Sequence, residues 1–545
     1  MEEQILCFKR EILRAHPAKT FYDESLWHQI LAHLEPKPRS VAEHDYDTKQ
    51  LVVYVLINQE QTFLSYQRTP KTTETRLKAL YSIGIGGHVN VEDQIQPSLF
   101  GTDEARWKDF VLKAVRREVS EEVQIQAGRT TTVTLPLRRL ANLTSKGWYS
   151  GSTHVHMNYG GNLHDTPENL AMMASAEDLH MVNAMASNKD NRVLDWQYFR
   201  PDRQECPLEK AVPGVRILFG EEYRPAFWGH TFLLGMRDHL YSPFAANYEG
   251  TAIASLYPTN TDVFRKVKAQ DGVTSYVHPF GDADPVESGY GAKGFPLDAA
   301  LGTLDALEWS GAVRAEMPVW HRLLNNDIAL VPVGGEDSEN DLHGLRTLGA
   351  IRTFVHLDGP LSGDAWLVAL RKGRTFLSTG PLLDLKVEGQ LPGSTLRLPA
   401  GGGAVLIEAD LNSVVPVTKL VLYHRRGVLR EIPVSPDGKS ARFREQVRLP
   451  ESDWISLEAE GPPDSRFDAA FALAITNAVR VYVGDEKIRD RASAEYYLRW
   501  IAKLRPQIEQ WPWWGSEAER KHVLAQLEEA QQVYHQLIKE AETGK

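Results

Sequence analysis

Short apolar runs alternate with longer helix-like stretches between residues 151 and about 381. The apolar runs include 215–218, 273–278, 306–309 and 329–333, and the helix-like stretches include 262–269 and 319–325. Apolar runs of this length are typical of buried strands, and helices that return the chain between them place such strands side by side. The alternation therefore predicts an α/β layer or barrel.

The rest of the chain divides into further blocks, as expected for 545 residues. Spaced strands at 405–409, 419–423 and 454–459 predict a small β-sandwich or sheet, and the Glu-, Gln-, Lys- and Ala-rich end predicts helices. We predict five parts: an α+β segment at 1–128, connecting strands at 129–150, the α/β barrel at 151–382, a β-rich domain at 383–485 and a helical tail at 486–545.

The first block mixes helix and strand. A hairpin is expected from the runs 49–57 and 61–66 around Asn58-Gln59-Glu60, followed by a glycine-rich turn at 84–87. A helix is expected at 103–122, and alternating Thr and Val predict one or two strands within 128–143.

Composition is that of an ordinary soluble protein, with 42% hydrophobic and 24% charged residues. A net charge of -11 gives no general attraction to nucleic acid or to anionic membranes. Two cysteines, Cys7 and Cys206, exclude a disulfide framework and argue against a cysteine-based zinc site. The first residues lack the apolar core of a signal peptide and no apolar run reaches about 18 residues, so a cytoplasmic protein is expected.

Histidines and acids scattered through the α/β block suggest a metal site. His154 and His156 are separated by one residue, which on a strand places both side chains on the same face. Later candidates each follow an apolar run or lie beside glycine or proline, as residues at the carboxyl ends of barrel strands do; they are Glu222, His230, His278 and Asp337. Imidazoles and carboxylates together suit Zn, Mn or Fe.

Six segments in this order resemble the PHP superfamily (polymerase and histidinol phosphatase), most closely its carbaryl-hydrolase-like, or CehA/McbA, branch. They are GWYSGSTHVHMNYGG (147–161), TPENLAMMASAEDL (166–179), GEEYRPAFWGH (220–230), YVHPFG (276–281), WHRLLNNDIALVPVGGED (320–337) and GRTFLSTGP (373–381). The resemblance implies a distorted (β/α)7 barrel with a metal cluster at the carboxyl ends of its strands.

The resemblance also assigns roles to individual residues. His154 and His156 would be the opening ligands, Glu222 would bridge metal ions, His230 and His278 would bind further ions, and Asp337 would be a ligand from the last strands. The superfamily often has Asp-His where this chain has Ser187-Asn188-Lys189, and Asp-x-His where it has Asp337-Ser338-Glu339. One or two ions are therefore expected, and Asp178, Asn188 or Lys189 are candidates to fill the gap.

A second resemblance lies at about 45–126. Arg117, Glu118, Glu121 and Glu122 place three glutamates on one helical face, where they could bind Mg²⁺ and a diphosphate. With Gly86-Gly87-His88-Val89-Asn90 upstream, the segment resembles the Nudix box of pyrophosphohydrolases. Gln124 replaces the glycine of the box, and the chain after it is too short for the remaining Nudix strands and second helix. We therefore expect an incomplete Nudix-like domain.

These resemblances predict a metal-dependent hydrolase, an esterase or phosphoesterase. Its nucleophile would be a metal-activated water held by His154, His156, Glu222 and Asp337. The alternatives are a Nudix diphosphatase or bifunctional enzyme, and a metal- or ligand-binding protein without turnover. We expect a small-molecule ester as substrate, with Arg314, Arg322 and Arg352 as candidate anion contacts. No nucleic acid or membrane partner is expected, and a homo-oligomer stays open.

Overall fold

The computed structural model divides the chain into two compact units, Met1–Arg138 and Arg139–Lys545. In the second unit it describes residues 139–543 apart from 160–163, 190–191, 209–211, 243, 282, 289–290, 311–314, 341–345 and 465–470. In the first unit it describes 4–9, 30, 33–42, 45, 47–50, 52–55, 58–59, 62–63, 66–67, 81–82 and 85–88. The predicted divisions within the second unit stay predictions.

The first unit contains short antiparallel strands. Its described elements are β1 (Gln4–Lys9), β2 (Glu35–Pro38), α1 (Arg39–Ala42), β3 (Thr48–Gln50), β4 (Val52–Val55), β5 (Asn58–Gln59), β6 (Thr62–Phe63), β7 (Tyr66–Gln67), β8 (Tyr81–Ser82) and β9 (Ile85–His88). Strand β1 pairs with both β2 and β3, and Ile5, Cys7 and Ala42 form a small core beneath them. The predicted hairpin is only partly correct. Asn58 and Gln59, expected in its turn, form a strand opposite Phe63 and Thr62, whereas Val52–Val55 pairs with Ile85–His88.

The glycine-rich turn predicted at 84–87 is wrong for its described part. Ile85–His88 is a strand that pairs antiparallel with Val52–Val55. Pairing gives these backbone groups hydrogen bonds that a turn would leave unmade, and glycine tolerates such a strand where backbones approach closely. The predicted helix at 103–122, with its Nudix-like residues Arg117, Glu118, Glu121 and Glu122, lies outside the described residues, as does 128–138 of the strands predicted within 128–143. The described remainder, 139–143, contains no strand.

In the second unit, strands and helices alternate up to residue 378. The strands are β10 (Trp148–His156), β11 (Met181–Lys189), β12 (Arg192–Leu194), β13 (Arg216–Pro225), β14 (Thr231–Leu234), β15 (Ala245–Ala246), β16 (Val273–Tyr276), β17 (Ala306–Trp309), β18 (Val331–Gly334), β19 (Ser338–Glu339), β20 (Arg352–His356) and β21 (Thr375–Ser378). The helices are α2 (Pro167–Ala176), α3 (Asn260–Ala269), α4 (Pro285–Ser288), α5 (Phe295–Ala300), α6 (Glu316–Leu324) and α7 (Gly363–Arg371). The predicted mixed α/β class is confirmed for these residues.

The central strands are mostly parallel, so their carboxyl ends share one edge. Strands β10, β11 and β13 run parallel, as do β16, β17 and β18, and antiparallel β14 joins the two groups. Strand β10 is buried along its whole length except at Tyr149, as expected for a sheet covered on both faces. The distorted seven-strand barrel of the predicted family stays a prediction.

The sheet curls so that β18 and β19 lie against β10, the first strand of the second unit. The carbonyl of Gly334 in β18 accepts hydrogen bonds from the hydroxyls of Thr153 in β10 and Thr353 in β20, at 3.2 and 3.0 Å. Strand β19 then pairs with the end of β10, with Val155 opposite Ser338. This closure brings the chain after β18 against the two histidines of β10.

Helices cover the sheet and begin at capping residues that the sequence provides. The Thr259 hydroxyl accepts the amide of Asp262, whose carboxylate accepts the amide of Thr259 in return. Thr166 and Ser362 cap α2 and α7 by accepting the amides of Asn169 and Ala365, without the return bond. Each such cap typically stabilises a helix by about 1 kcal/mol.

The β-rich part forms two facing layers. Its strands are β22 (Leu382–Val387), β23 (Thr395–Leu398), β24 (Gly403–Asn412), β25 (Lys419–His424), β26 (Gly427–Glu431), β27 (Ser440–Leu449), β28 (Asp453–Glu460), β29 (Leu473–Thr476) and β30 (Val479–Val483). One layer is β22, β24 and β27, and apolar side chains of both layers share one core. Strand β29 pairs with β21, so this part continues the sheet of the α/β part.

Two helices close the chain, α8 (Arg491–Glu509) and α9 (Glu517–Thr543), and pack on the α/β part. The Tyr497 hydroxyl donates to the carbonyl of Val319 at 2.6 Å, and the Trp500 ring stacks on Phe295. The Trp511 indole donates to the carbonyl of Ala254 at 3.0 Å. Within the described residues, no helix combines the length and apolar character that crossing a membrane requires.

Replacing Tyr534 with phenylalanine tests how much one tail contact contributes. The buried Tyr534 hydroxyl donates to the carbonyl of Pro296 in α5 at 2.8 Å. Its loss should lower the free energy of unfolding by about 1–2 kcal/mol, since a buried acceptor loses its donor. Urea unfolding measures this. Trp513→Phe, at a residue that is 47% exposed, should change stability by less than about 0.5 kcal/mol. Equal effects of the two substitutions would contradict this account.

Candidate metal centre

Six histidine and carboxylate side chains meet at the carboxyl edge of the curled sheet. His154 and His156 end β10, Glu222 lies near the end of β13, and His278 and Asp337 follow β16 and β18. His230 lies in the turn between β13 and β14. These are the six residues predicted as ligands, and the structure brings all of them together in two groups of three.

The first trio is His154, His156 and Asp337. The Nε2 atoms of the two histidines lie 3.1 Å apart, and Asp337 Oδ1 lies 3.2 and 3.1 Å from them. Ligands at about 2.0–2.2 Å from a zinc ion lie about 3.0–3.5 Å from one another in octahedral or tetrahedral geometry. The three atoms therefore fit around one divalent ion.

The second trio is Glu222, His230 and His278. Glu222 Oε1 lies 3.1 Å from His230 Nδ1 and 3.6 Å from His278 Nε2, while Oε2 lies 3.4 Å from His156 Nε2. Glu222 thus contacts both trios with its two oxygens. Among the described residues, Glu222 Oε2 and His230 Nδ1 are buried atoms whose contacts are not aligned as hydrogen bonds. Such atoms in native proteins commonly face an ion or water.

Backbone strain occurs at two of the six residues. His278 and Asp337 adopt φ angles of 33° and 55°, in the left-handed region that residues other than glycine rarely adopt. Strain of this kind typically costs about 1–3 kcal/mol and is retained where the surroundings impose it. At both positions it turns a side chain from the end of a strand toward the cluster.

Two buried side chains that sequence reasoning missed contact the rings of the first trio. Glu308 Oε1 lies 3.2 Å from His154 Nδ1, and Ser187 Oγ lies 3.4 Å from His156 Nδ1. Partners on the second ring nitrogen orient a histidine and hold its other nitrogen toward a metal. A signal existed for Glu308, which is the one charged residue in the apolar run Ala306–Trp309.

Gly335 makes room for this arrangement. A Cβ at this position would lie 2.5 Å from Thr153 Oγ1, 2.6 Å from Glu308 Oε2 and 2.8 Å from His154 Cβ. All three neighbours are buried. A side chain here would therefore displace His154 or its partner Glu308.

Gly335→Ala should accordingly weaken metal binding by about tenfold or more, the size of effect seen when outer partners of ligands are disturbed. Overpacking should also cost about 1–3 kcal/mol of stability. Competition with a chromogenic chelator and thermal melting measure the two effects. Gly359→Ala is the control, since a Cβ there meets nothing within 4 Å. Unchanged affinity in the Gly335 variant would show that the tight space has no role in the site.

Two arginines and a tyrosine border the six residues. Arg224 Nε lies 3.6 Å from Glu222 Oε2, and Arg346 Nη1 lies 2.9 Å from Asp337 Oδ2. The Tyr159 ring packs against His156 with centroids 4.4 Å apart, and its hydroxyl accepts a hydrogen bond from Arg224. Guanidinium groups match phosphate and carboxylate oxygens in geometry. The site can therefore receive an anionic group.

Burial and neighbouring charges shift the titration of the cluster. Burial alone would lower the pKa of His154, but the carboxylates of Glu308 and Asp337 outweigh it and raise that pKa to about 9. Burial alone would raise the pKa of Glu222, but the imidazoles of His156, His230 and His278 hold it well below its usual range. Burial, with Glu222 nearby, raises the pKa of Tyr159 to about 12. The carboxylate of Glu222 is therefore ionised at neutral pH, as a metal ligand must be.

Other candidates from the sequence lie elsewhere. Asp178 is not part of the cluster: it follows helix α2 at the amino end of β11, its side chain is 53% exposed, and it pairs with Arg139. The turn after a helix lies on the opposite edge of the sheet from the carboxyl ends, which is why Asp178 cannot reach them. Asn188 and Lys189 lie in β11 with side chains outside the described set.

The prediction of anion-contacting arginines is also wrong for Arg322 and Arg352, because their guanidinium groups contact other parts of the protein. Arg322 stacks over the Tyr496 ring, 4.0 Å from its centroid, and Arg352 donates to the carbonyls of Glu177 and Gly349. Arg314 lies outside the described residues. Arg224 and Arg346 instead lie beside the predicted ligands Glu222 and Asp337.

Comparisons with known proteins give limited likenesses. No known family profile matches the chain. Protein YmaB of Bacillus subtilis (strain 168) is 30% identical over 146 residues, a stretch that covers 25% of this chain and 66% of that protein. The chain thus spans just under two thirds of that relative's length.

Solved structures with local similarity include three proteins. A two-domain protein of Bacteroides vulgatus ATCC 8482, containing a predicted PHP-like metal-dependent phosphoesterase, is 13% identical, with a TM-score of 0.32 over 65% of this chain and 100% of that one. PsfC of Pseudomonas syringae PB-5123 is 17% identical, with a TM-score of 0.28 over 41% and 88%. The lesion-specific endonuclease PfuEndoQ of Pyrococcus furiosus is 13% identical, with a TM-score of 0.27 over 41% and 55%. TM-scores this low do not assign a function to the chain. The chemistry of the site is inferred from the positions of its own side chains.

Proposed function

We propose that this protein is a metal-dependent hydrolase that cleaves small-molecule esters, with phosphate esters and carbamate-like esters as the substrate classes. One observation supports the proposal most strongly: six potential ligand atoms converge in two trios. Glu222 of the second trio also contacts His156 of the first and so links the two. A single trio can arise as an ordinary hydrogen-bonded cluster. Two linked trios at one strand edge, with buried polar atoms facing each other, are typical of a site for one or two divalent ions.

The mixed ligand set supports Zn, Mn or Fe, because it combines imidazole nitrogens with carboxylate oxygens. Bound ions would lower the pKa of a water toward about 7 and polarise the scissile bond. His154, His156 and Asp337 would hold one ion, and Glu222, His230 and His278 the other. Glu308 and Ser187 keep the two imidazoles of β10 oriented.

Residues at the border of the site suit a substrate with anionic or strongly polar oxygens. Three carboxylates, Glu222, Glu308 and Asp337, nearly balance the guanidinium groups of Arg224 and Arg346, so bound divalent ions leave the site positively charged. Arg224 and Arg346 would hold the ester oxygens. The Tyr159 phenol, protonated at neutral pH, can donate a hydrogen bond to the leaving oxygen.

Metal analysis followed by a substrate screen tests the proposal. Full-length protein purified without chelator should contain about one to two equivalents of a divalent transition metal. It should hydrolyse a chromogenic phosphate monoester, a phosphodiester or an aryl carbamate, and a chelator should abolish this activity. Protein that contains metal but cleaves none of these would favour the binding-protein alternative. Activity that persists in protein free of transition metal would overturn the proposal.

A further inference from the structure

One carboxylate lies between the two trios and contacts both. Glu308 Oε1 lies 3.2 Å from His154 Nδ1, in the first trio, and accepts the backbone amide of His278, in the second, at 3.2 Å. The Ser310 hydroxyl donates to the same oxygen at 2.5 Å, and the Thr153 hydroxyl oxygen lies 3.5 Å from Oε2. Glu308 is thus joined to both halves of the cluster through a single oxygen.

The position of Glu308 is fixed by the sheet. It lies in β17 between β16 and β18, opposite Val333, and its side chain is fully buried. An ionised carboxylate in such a place is costly unless hydrogen bonds and charges compensate it. Three donors supply that compensation: His154 Nδ1, the His278 amide and the Ser310 hydroxyl. The glycine at 335 leaves space for Oε2.

Each contact does something different for the ligands. At His154, a carboxylate on Nδ1 fixes the tautomer and leaves Nε2 for the metal side, where it lies 3.2 Å from Asp337 Oδ1. At His278, whose φ is 33°, the backbone amide donates to Ser310 Oγ at 2.9 Å and to Glu308 Oε1 at 3.2 Å. Ser310 itself donates to Glu308, so the carboxylate supports His278 both directly and through Ser310. Loss of this support leaves the strained backbone freer to move its imidazole out of the second trio.

We infer that Glu308 is a positioning residue that sets the geometry of both metal-binding trios together. The inference rests on the proposed function and deepens it, since it concerns how the same site is organised. Removing the carboxylate loosens the ring of His154 and the backbone of His278 at once. Affinity for both ions therefore falls, and neither trio compensates for the other.

The test is a zinc titration of the full-length apoprotein in competition with a chromogenic chelator, which resolves two stepwise binding constants. Glu308→Gln keeps the size of the side chain and removes its charge. Both constants should weaken, each by about 10- to 100-fold, as is usual for outer partners of metal ligands. Ser187→Ala is the matched control: Ser187 contacts His156 of the first trio, so one constant should weaken and the other should not.

Thermal melting of the apoproteins separates positioning from folding. The Glu308→Gln apoprotein should melt cooperatively, as the wild type does. If it does not fold, Ser310→Ala, which removes one donor to the same oxygen, should weaken both constants in the same direction. Weakening of one constant only, or of neither, overturns the inference, and so does wild-type protein that binds a single zinc ion. Those results leave the proposed hydrolase intact, whereas wild-type protein that binds no transition metal overturns both.

Discussion

Replacing both His154 and His156 with alanine is expected to abolish hydrolysis, lowering kcat/KM by about 10³-fold or more, at least about 4 kcal/mol of barrier. Both Nε2 atoms point into the first trio, and His156 also lies 3.4 Å from the shared carboxylate of Glu222. Their loss removes two of three ligands from one ion and a neighbour from the other. Steady-state kinetics on the best substrate of the screen, together with metal content, measures the effect.

Two controls make this result specific. His239→Ala changes a histidine whose side chain is 66% exposed and should leave kcat/KM within about twofold. Glu121→Gln changes one of the three Nudix-like glutamates and should also leave kcat/KM unchanged. Activity that survives the double histidine change but disappears with Glu121→Gln would overturn the choice of site and favour a Nudix diphosphatase.

The second large effect is expected for Glu222→Gln. Glu222 contacts His230 and His278 with one oxygen and His156 with the other, so an amide cannot serve both trios. Metal content should fall by at least one equivalent and kcat/KM by about 10³-fold. Atomic absorption and kinetics measure these changes on the same preparation.

The adjacent Glu221 provides a matched control. It lies on the same strand, is equally buried, and accepts the backbone amide of Tyr241 at 2.6 Å. Burial raises the pKa of Glu221 well above its usual range, which favours the neutral carboxyl, a group of the same shape as an amide. Glu221→Gln should therefore keep nearly full activity. A loss as large as that of Glu222→Gln would show that the shared contacts of Glu222 are not the cause.

The pattern of the sequence predicted those parts of the fold that depend on local periodicity. The strand expected at 306–309 is present as Ala306–Trp309, and the helix expected at 262–269 is Asn260–Ala269, extended to its capping threonine. The shared face expected for His154 and His156 is present, with their Nε2 atoms 3.1 Å apart. Period-two geometry suffices for such a pair, because both residues lie on one strand.

Contacts that depend on closure of the sheet could not be read from the sequence. Glu308 meets His154 only because the β17–β18 pair curls back to β10, a long-range arrangement with no local signature. Arg224 and Arg346 are ordinary arginines in the sequence. Arg322 and Arg352 looked equivalent, but their guanidinium groups contact the Tyr496 ring and the carbonyls of Glu177 and Gly349. The prediction that Asp178 could be an additional site residue was wrong for a related reason. The position of a turn in the sequence does not show at which edge of the sheet the turn lies.

The closure of the sheet also ties metal binding to the stability of the whole α/β part. Ser152 and Glu336, neighbours of the ligands, are hydrogen-bonded at 2.8 Å although they are 184 positions apart in the chain. An ion held by His154, His156 and Asp337 would link the two ends of the chain segment between residues 156 and 337. Holding the ends of such a long segment together costs conformational entropy. Since a ligand bound only by the folded state stabilises it by RT ln(1 + [L]/Kd), the free energy of unfolding of this protein would rise with the concentration of free metal.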